Sequence, residues 1–436
     1  MASIKELVRD RRLQEPGAMT LAQKLIARAC GRERVEVGEI VNCKVDLAMF
    51  HDSSGPRRLK PMLEELSTQI WDRDRVVLVM DHYVPERDDD ARRIVRIARE
   101  WASEQALAHV YDSIGICHVV LAQHGHVRPG MLCVGGDSHS STGGAFGAYM
   151  FGIGSTEMLG VVVTGEIWLR VPRTIRMRWD GSLSAGVTAK DMMLDMIGRF
   201  GMNGGQYQAV EYHGSAIRRL SMAERMTLSN MSAELGAQVG LVEPDETTAD
   251  YLLQAGVPAG EIDLATWYSD EDAEFEERRF DATTLEPQIA APHSPANVSG
   301  ISAHAGEPID VAYVGACTGA KIEDLRAVAR VLRNHRVAPG VRLLLAPASL
   351  QDQATAASEG VLQQILDAGA ELLPTACGAC AGYGGTLGDE VSVISTTARN
   401  FRGRMGSPKA SVFLGSPFSV AAAALRGRIT DPREVL

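Results

Sequence analysis

The sequence predicts an α/β protein of three domains, and three observations predict it. Short β-branched runs alternate with helix-like segments through much of the chain, the order that gives parallel strands with helical crossovers. With 436 residues the chain is too long for one compact core, so two or three domains are expected. The composition is 45% hydrophobic and 23% charged with 43 glycines, and no apolar run reaches the roughly 18 residues that a membrane helix needs.

Residues 1–18 are expected to be an N-terminal extension. Their charges fall where a secretory signal would be apolar, and Glu6, Asp10 and Glu15 argue against an organelle transit peptide. A cytoplasmic location is therefore expected.

Domain 1 is expected over 19–172. It opens with MTLAQKLIARACG, an amphipathic helix stopped by glycine. DRVVLVMDHYVP, ERDDDARRIVRIAREWASEQ and HVYDSIGICHVVL then give strand, helix, and strand again. Domain 2 is expected over 173–282, with the helical SMAERMTLSNMSAELGAQVG in its middle. Residues 283–308, rich in proline and short polar residues, are expected to be a linker. Domain 3, over 309–436, repeats the strand, loop and helix order in IDVAYVGACTGAKIEDLRAVARVLRNH, and GVRLLLAPAS starts another unit. There is no internal repeat of fixed period and no low-complexity tract.

The formal charge of −11 speaks against a nucleic-acid surface, which usually needs a basic footprint. Seven cysteines, an odd number in a long chain, do not suggest a disulfide framework. Cys30, Cys43, Cys117 and Cys133 lie in mostly apolar stretches and are expected to be buried, inert thiols. Cys317, Cys377 and Cys380 remain, all at loop positions. Cys317 stands between an apolar strand and a helix, where the helix N-terminus favours a thiolate. Structural zinc would want a fourth ligand, and no histidine lies within ten residues of the Cys377–Cys380 pair. A redox dithiol has no use for Cys317. A [4Fe–4S] cluster on three thiolates, with one iron left open, accounts for all three; spacing alone leaves buried structural cysteines as the alternative.

Acid–base candidates cluster in domain 1. Asp81 and His82 follow the run RVVLVM, His118 ends GICH, and Asp137 and His139 stand in CVGGDSHSSTGGAFG. A carboxylate beside an imidazole sets its tautomer and raises its pKa, which suits a group that delivers a proton near neutral pH. The glycines of GGAFGAYMFGIGS do not hold the spacing of a dinucleotide fingerprint; they are expected to allow tight backbone packing beside Asp137 and His139. TTARNFRGRMG offers Arg399, Arg402 and Arg404, whose forks could grip carboxylates.

Together these motifs resemble the 3-isopropylmalate dehydratase large-subunit family of the aconitase superfamily. The likeness runs from about Met19 to the C-terminal GRITDPREVL. It is carried by GEIVNCKVDLAMFHDSSGP, MDHYVP, GICH, GDSHSSTGGAFG, GIGSTEM, LSNMSAELGA, EPQIAAPHS, CTGAKIEDL, CGAC and STTARNFRGRMG. The resemblance implies that Cys317, Cys377 and Cys380 ligate a [4Fe–4S] cluster whose open iron is a Lewis acid. It implies that Asp81, His82, His118, Asp137, His139 and Glu234 form the proton-handling network, and that His51, Asp52, Ser138, Arg399 and Arg404 contact a small 2-hydroxy polycarboxylate. Asn230 would support the cluster. It also implies a separate small subunit, of about 160 to 200 residues, that supplies a catalytic serine; no nucleic-acid or membrane partner is expected.

Two positions depart from the pattern. Cys317-Thr318-Gly319-Ala320 stands where the family usually reads Cys-Thr-Asn-Gly, and Ala398-Arg399-Asn400-Phe401 where it reads Asn-Arg-Asn-Phe. Both changes are expected to delete an amide close to the cluster. A different substrate (another 2-hydroxy acid such as a citramalate, dimethylmalate, homocitrate or phosphonate analogue), a more fragile or mononuclear metal site, or a paralogue with a non-catalytic or RNA-binding role would each account for them.

Overall fold

The computed structural model describes residues 17–382 and 387–436. Most of the expected N-terminal extension lies outside the described residues. The first helix, Leu21–Ala29, starts at a capping box between Thr20 and Gln23 and ends before Gly31, whose φ is 69°. That left-handed residue is what the glycine stop supplies.

Among the described residues, eighteen strands form four sheets. In the first part of the chain they are β1 (Ile40–Lys44), β2 (Leu47–His51), β3 (Val76–Met80), β4 (His109–Asp112), β5 (Leu132–Gly135), β6 (Tyr149–Gly152) and β7 (Glu166–Arg170). β1 and β7 pair as an antiparallel ribbon. The other five make a parallel sheet in the order β4-β3-β2-β5-β6. β2, β3, β5 and β6 are buried on both faces, as parallel strands under crossover helices must be, while the edge strand β4 is partly exposed. Leu47, Met49, Val77 and Val79 enter one apolar core, while Ala48, Phe50, Val76, Leu78 and Met80 enter another.

A second sheet contains β8 (Thr174–Asp180), β9 (Ala209–His213), β10 (Val239–Val242) and β11 (Glu276–Asp281), parallel in the order β10-β9-β8-β11. A third has seven strands: β12 (Gln288–Ala290), β13 (Val298–Gly300), β14 (Val311–Val314), β15 (Arg342–Leu345), β16 (Ala370–Leu372), β17 (Ser392–Ser395) and β18 (Ser411–Leu414), ordered β13-β12-β18-β17-β14-β15-β16.

The expectation of a linker over 283–308 is corrected here. β12 and β13 lie inside it, pair antiparallel with each other, and join the third sheet through β18. Proline and serine mark the turn between these two short strands rather than free chain, and Ile289 and Ala290 are fully buried.

Two features of strand order position the site. In the first sheet, connections run outward from β2 to β3 and β4, then return to β5 and β6, so the order reverses between β2 and β5. In the third sheet it reverses between β14 and β17. Ligand crevices of open α/β sheets form outside the carboxyl ends of strands at such points. His51 and Asp137 lie at the first reversal; Cys317 and the Thr396–Arg399 segment lie at the second.

Candidate functional site

Asp52 follows the carboxyl end of β2. Its Oδ1 accepts the backbone N–H of His82 at 3.1 Å and of Asp81 at 3.4 Å, and its Oδ2 accepts that of Tyr83 at 2.7 Å. The carboxylate is fully buried and taken up by the turn after β3. The structure therefore places Asp52 as the anchor of Asp81 and His82.

Asp81 divides its oxygens. Oδ1 lies 2.6 Å from His82 Nδ1, and Oδ2 accepts the Cys117 N–H at 2.7 Å. The second contact satisfies the first turn of the helix Cys117–Gln123, which has no side-chain cap of its own. Burial opposes charge on His82, but Asp81 and Asp52 outweigh it and lift its pKa to about 10. His82 Nε2 makes no hydrogen bond among the described residues, which leaves a protonated nitrogen at the wall of the site. His51 stacks on the His82 ring with centroids 3.8 Å apart and an 11° tilt. Burial and the neighbouring His82 cation push His51 down to about 3, so a neutral ring faces a charged one. His51 Nδ1 accepts the Ser53 N–H, which puts the proton on Nε2. That atom is buried without a hydrogen-bond partner, 3.8 Å from Asp137 Oδ2 across the strand reversal.

The second network begins at Asp137, in the turn after β5. Asp137 Oδ1 accepts the His139 N–H at 2.8 Å and lies 2.9 Å from His118 Nε2. Burial disfavours its charge, yet His118 and His139 hold it well below the usual carboxylate range. His118 is the second residue of its helix rather than the end of a strand, so the helix, not the sheet, aims it. His139 Nε2 reaches Glu234 Oε1 at 3.0 Å, and the same oxygen accepts Arg399 Nε–H at 2.5 Å. Arg399 also donates to Ser138 Oγ at 2.9 Å. Burial and Arg399 work against charge on His139; Glu234 and Asp137 win and raise it to about 9.

The three cysteines come from two loops of the third sheet. Cys317 follows β14, after Ala316 at φ 68°, a left-handed conformation uncommon for alanine. Cys377 and Cys380 follow β16. The Cys377 N–H donates to the Asp81 carbonyl at 2.8 Å, which ties the cysteine loop to the histidine turn. Cys377 hydrogen-bonds to Cys380 and pulls it down to about 6 against burial, with Arg404, His139 and Arg399 assisting. Burial instead raises Cys317 to about 12, and Cys380 adds to the rise. The helix N-terminus expected to favour a Cys317 thiolate is thus outweighed by burial. Cys43, Cys117 and Cys133 are fully buried with raised thiols, and Cys30 is half-buried.

Asn230 Nδ2 donates to Thr142 Oγ1 at 2.8 Å and to Cys317 Sγ at 3.1 Å. Four buried polar atoms around this space have no partner among the described residues: His51 Nε2, Asn230 Oδ1, Glu234 Oε2 and Arg404 Nε. Native proteins rarely leave such groups unsatisfied. Three interacting sulfurs, an amide on one of them, and unused donors and acceptors beside them form a donor set that fits a thiolate-bound cluster and a polar substrate.

The departures at 319 and 398 leave no hole. A Cβ on Gly319 would lie 2.2 Å from Thr396 Cβ, so Thr396 occupies the space an amide would need. Ala398 is buried in the apolar cluster that includes Met177, Met193, Tyr212 and Leu414. The expectation that both changes strip an amide from the cluster is corrected: one position is filled from the facing loop, and the other belongs to a core. Sequence reasoning missed Thr142, Lys190, Lys321 and Thr396. Only the lysines gave a signal, as cations in otherwise apolar or small-residue segments.

Residues 23–427 match the aconitase family (aconitate hydratase). The chain is 42% identical over 421 residues to the 3-isopropylmalate dehydratase large subunit 1 of Methanopyrus kandleri, covering 96% of this chain and 99% of that one.

The chain belongs to the aconitase family.

Within that family it is a hydro-lyase of the large-subunit type, and it has a second kind of relative. A probable methanogen homoaconitase large subunit of Methanothermobacter thermautotrophicus is 39% identical over 424 residues, covering 95% of this chain and 98% of that one. The crystal structure of Thermococcus kodakaraensis aconitase X in its holo-form superposes with a TM-score of 0.50 at 12% identity, covering 92% of this chain and 93% of that one. That likeness concerns the fold alone.

Proposed function

We propose that this chain is the iron–sulfur-bearing large subunit of a cytoplasmic hydro-lyase that dehydrates a small 2-hydroxy polycarboxylate, with 3-isopropylmalate as the default substrate. The carrying observation is the placement of His82, whose Nδ1 is held by Asp81 and whose Nε2 makes no hydrogen bond among the described residues, on the turn that also anchors the Cys377 loop. Cys317, Cys377 and Cys380 would hold the [4Fe–4S] cluster, with Asn230 donating to Cys317. When bound, it supplies Lewis acidity toward the substrate's hydroxyl and a carboxylate.

The chain's own residues divide the remaining work. His82 Nε2 delivers its proton to the leaving hydroxyl, and Asp81 fixes its tautomer and holds the charge in a buried site. His118, Asp137, His139 and Glu234 keep a second proton within reach along one connected path. Arg399 and Arg404 take up carboxylates, with Ser138 oriented by Arg399. His51 offers an Nε2–H to the substrate. The base that removes the carbon-bound proton is a serine supplied by a separate small subunit. Similar identities to isopropylmalate dehydratase and homoaconitase large subunits favour the reaction class over any one substrate.

The test is iron and acid-labile sulfide on protein purified without oxygen, followed by turnover with a candidate small subunit on isopropylmalate and homocitrate in parallel. About four irons and four sulfides per chain, lost in Cys377→Ser, with dehydration only when both subunits are present, is the expected result. A chain that binds no iron after anaerobic reconstitution overturns the assignment.

A further inference from the structure

Lys190 is the second residue of the helix Ala189–Phe200 and only 1% exposed. Its Nζ donates to the carbonyls of Thr396 and Thr397, the latter at 2.6 Å. The Thr396 carbonyl also accepts Thr318 Oγ–H at 2.8 Å, one residue beyond Cys317. The Thr396 hydroxyl bonds both the N–H and the carbonyl of Gly315, two residues before it. One bend thus links the Cys317 loop, the segment leading to Arg399, and a helix of the second sheet's layer.

The charge of this lysine is unbalanced. Lys321, the other buried lysine here, has a carboxylate partner in Asp324 at 3.1 Å; Lys190 makes no ion pair among the described residues. Burial pushes it down to about 7, and the groups that support its charge are Cys380, Asp324 and Cys317. A buried cation without a counterion is costly, and two of the three groups that support it are the proposed cluster ligands.

We infer that Lys190 is a positioning residue of the cluster site, holding the Thr396–Thr397 bend in place while its ammonium is the buried counter-cation of the thiolate-bound iron–sulfur group. The inference rests on the cofactor reading above and adds a residue to it. A cation at this position favours the reduced, more negative state of the cluster, and the clamp keeps Cys317 in register with Cys377 and Cys380.

The full-length chain is reconstituted anaerobically as wild type, Lys190→Met and Lys190→Arg. Iron and sulfide content, the rate of iron loss in air, and the EPR-monitored midpoint potential of the air-oxidised cluster are then measured. Lys190→Met is expected to shift the potential downward and to lose iron about 10-fold faster, the lower end of what loss of a supporting residue costs. Lys190→Arg is expected to restore the potential. Lys190→Gln, which removes the charge but keeps a donor, is read in the same way if the methionine variant does not fold. Equal loading and an unchanged potential in a folded, uncharged variant overturn this inference alone. A wild-type chain that takes up no cluster overturns the cofactor reading and this inference with it.

Discussion

His82 and His139 are held charged while His51 is held neutral, within one connected space. The signs follow from linkage. His82 and His139 have folded pKa values of about 10 and about 9 against about 6.5 in an unfolded chain. Their stabilisation is complete below about pH 6.5 and is lost as pH rises through 9 to 10. His51, at about 3, acts oppositely: its contribution is present above about 6.5 and lost as pH falls toward 3. Thermal melting should therefore peak near neutrality and decline on both sides. His82→Gln should flatten the alkaline decline, and an equally steep decline in that variant would remove Asp81 as the cause of the raised pKa. Gly319 and Thr396 form a second residue-scale unit. Gly319→Asn, which restores the amide usual in the family, should destabilise by about 1–3 kcal/mol through overpacking. Thr396→Ala in the same chain should recover part of that loss, with a coupling of about 0.5–3 kcal/mol in a urea double-mutant cycle; strict additivity would mean that Thr396 does not fill the space.

At the scale of elements, the glycines of 143–147 allow close packing. The short 3₁₀ segment Ser138–Phe146 carries His139 and must approach β10 of the second sheet. A Cβ on Gly144 would fall 1.8 Å from the Gly240 carbonyl oxygen. Gly144→Ala should therefore cost about 1–3 kcal/mol or more, read as a lower urea midpoint, and it should widen the 3.0 Å contact between His139 and Glu234. The test of the second effect is the His139 titration, observed by NMR, which should move down from about 9 as Glu234 recedes. An unshifted titration in a folded Gly144→Ala chain would separate the packing role from the electrostatic one.

Across the whole molecule, the site is assembled from all three sheet layers. The first supplies His51, His82, His118, Asp137 and His139. Asn230 and Glu234 stand between β9 and β10 of the second, and the third supplies the cysteines and Arg399. A group bound only by this assembled state stabilises it by mass action, about 2.7 kcal/mol at a hundredfold excess over its dissociation constant. Chelation of iron in air should thus lower the melting temperature by a few degrees, and Cys377→Ser should abolish the difference between loaded and stripped protein. Identical melting of the two wild-type forms would mean that the cysteines do not hold a group that bridges the layers.

The sequence by itself determined the α/β class, the histidine and carboxylate motifs, the three cysteines set apart from four apolar ones, and the family resemblance, because each is local. Apolar runs of strand length, a carboxylate one or two residues from an imidazole, and two cysteines three apart are legible without coordinates. Tertiary structure alone decided what those groups spend their hydrogen bonds on. It made Asp52 the anchor of the Asp81–His82 turn, gave Glu234 both His139 and Arg399, and folded part of the proline-rich stretch 283–308 into two strands. It filled the place beside Gly319 with Thr396 and sent Ala398 into a core. The hydrogen-bonded outcomes join residues 29 to 165 positions apart at the reversal points of two sheets, and all of them depend on long-range packing and on the cost of burying a polar group without a partner. No spacing in the chain encodes those meetings.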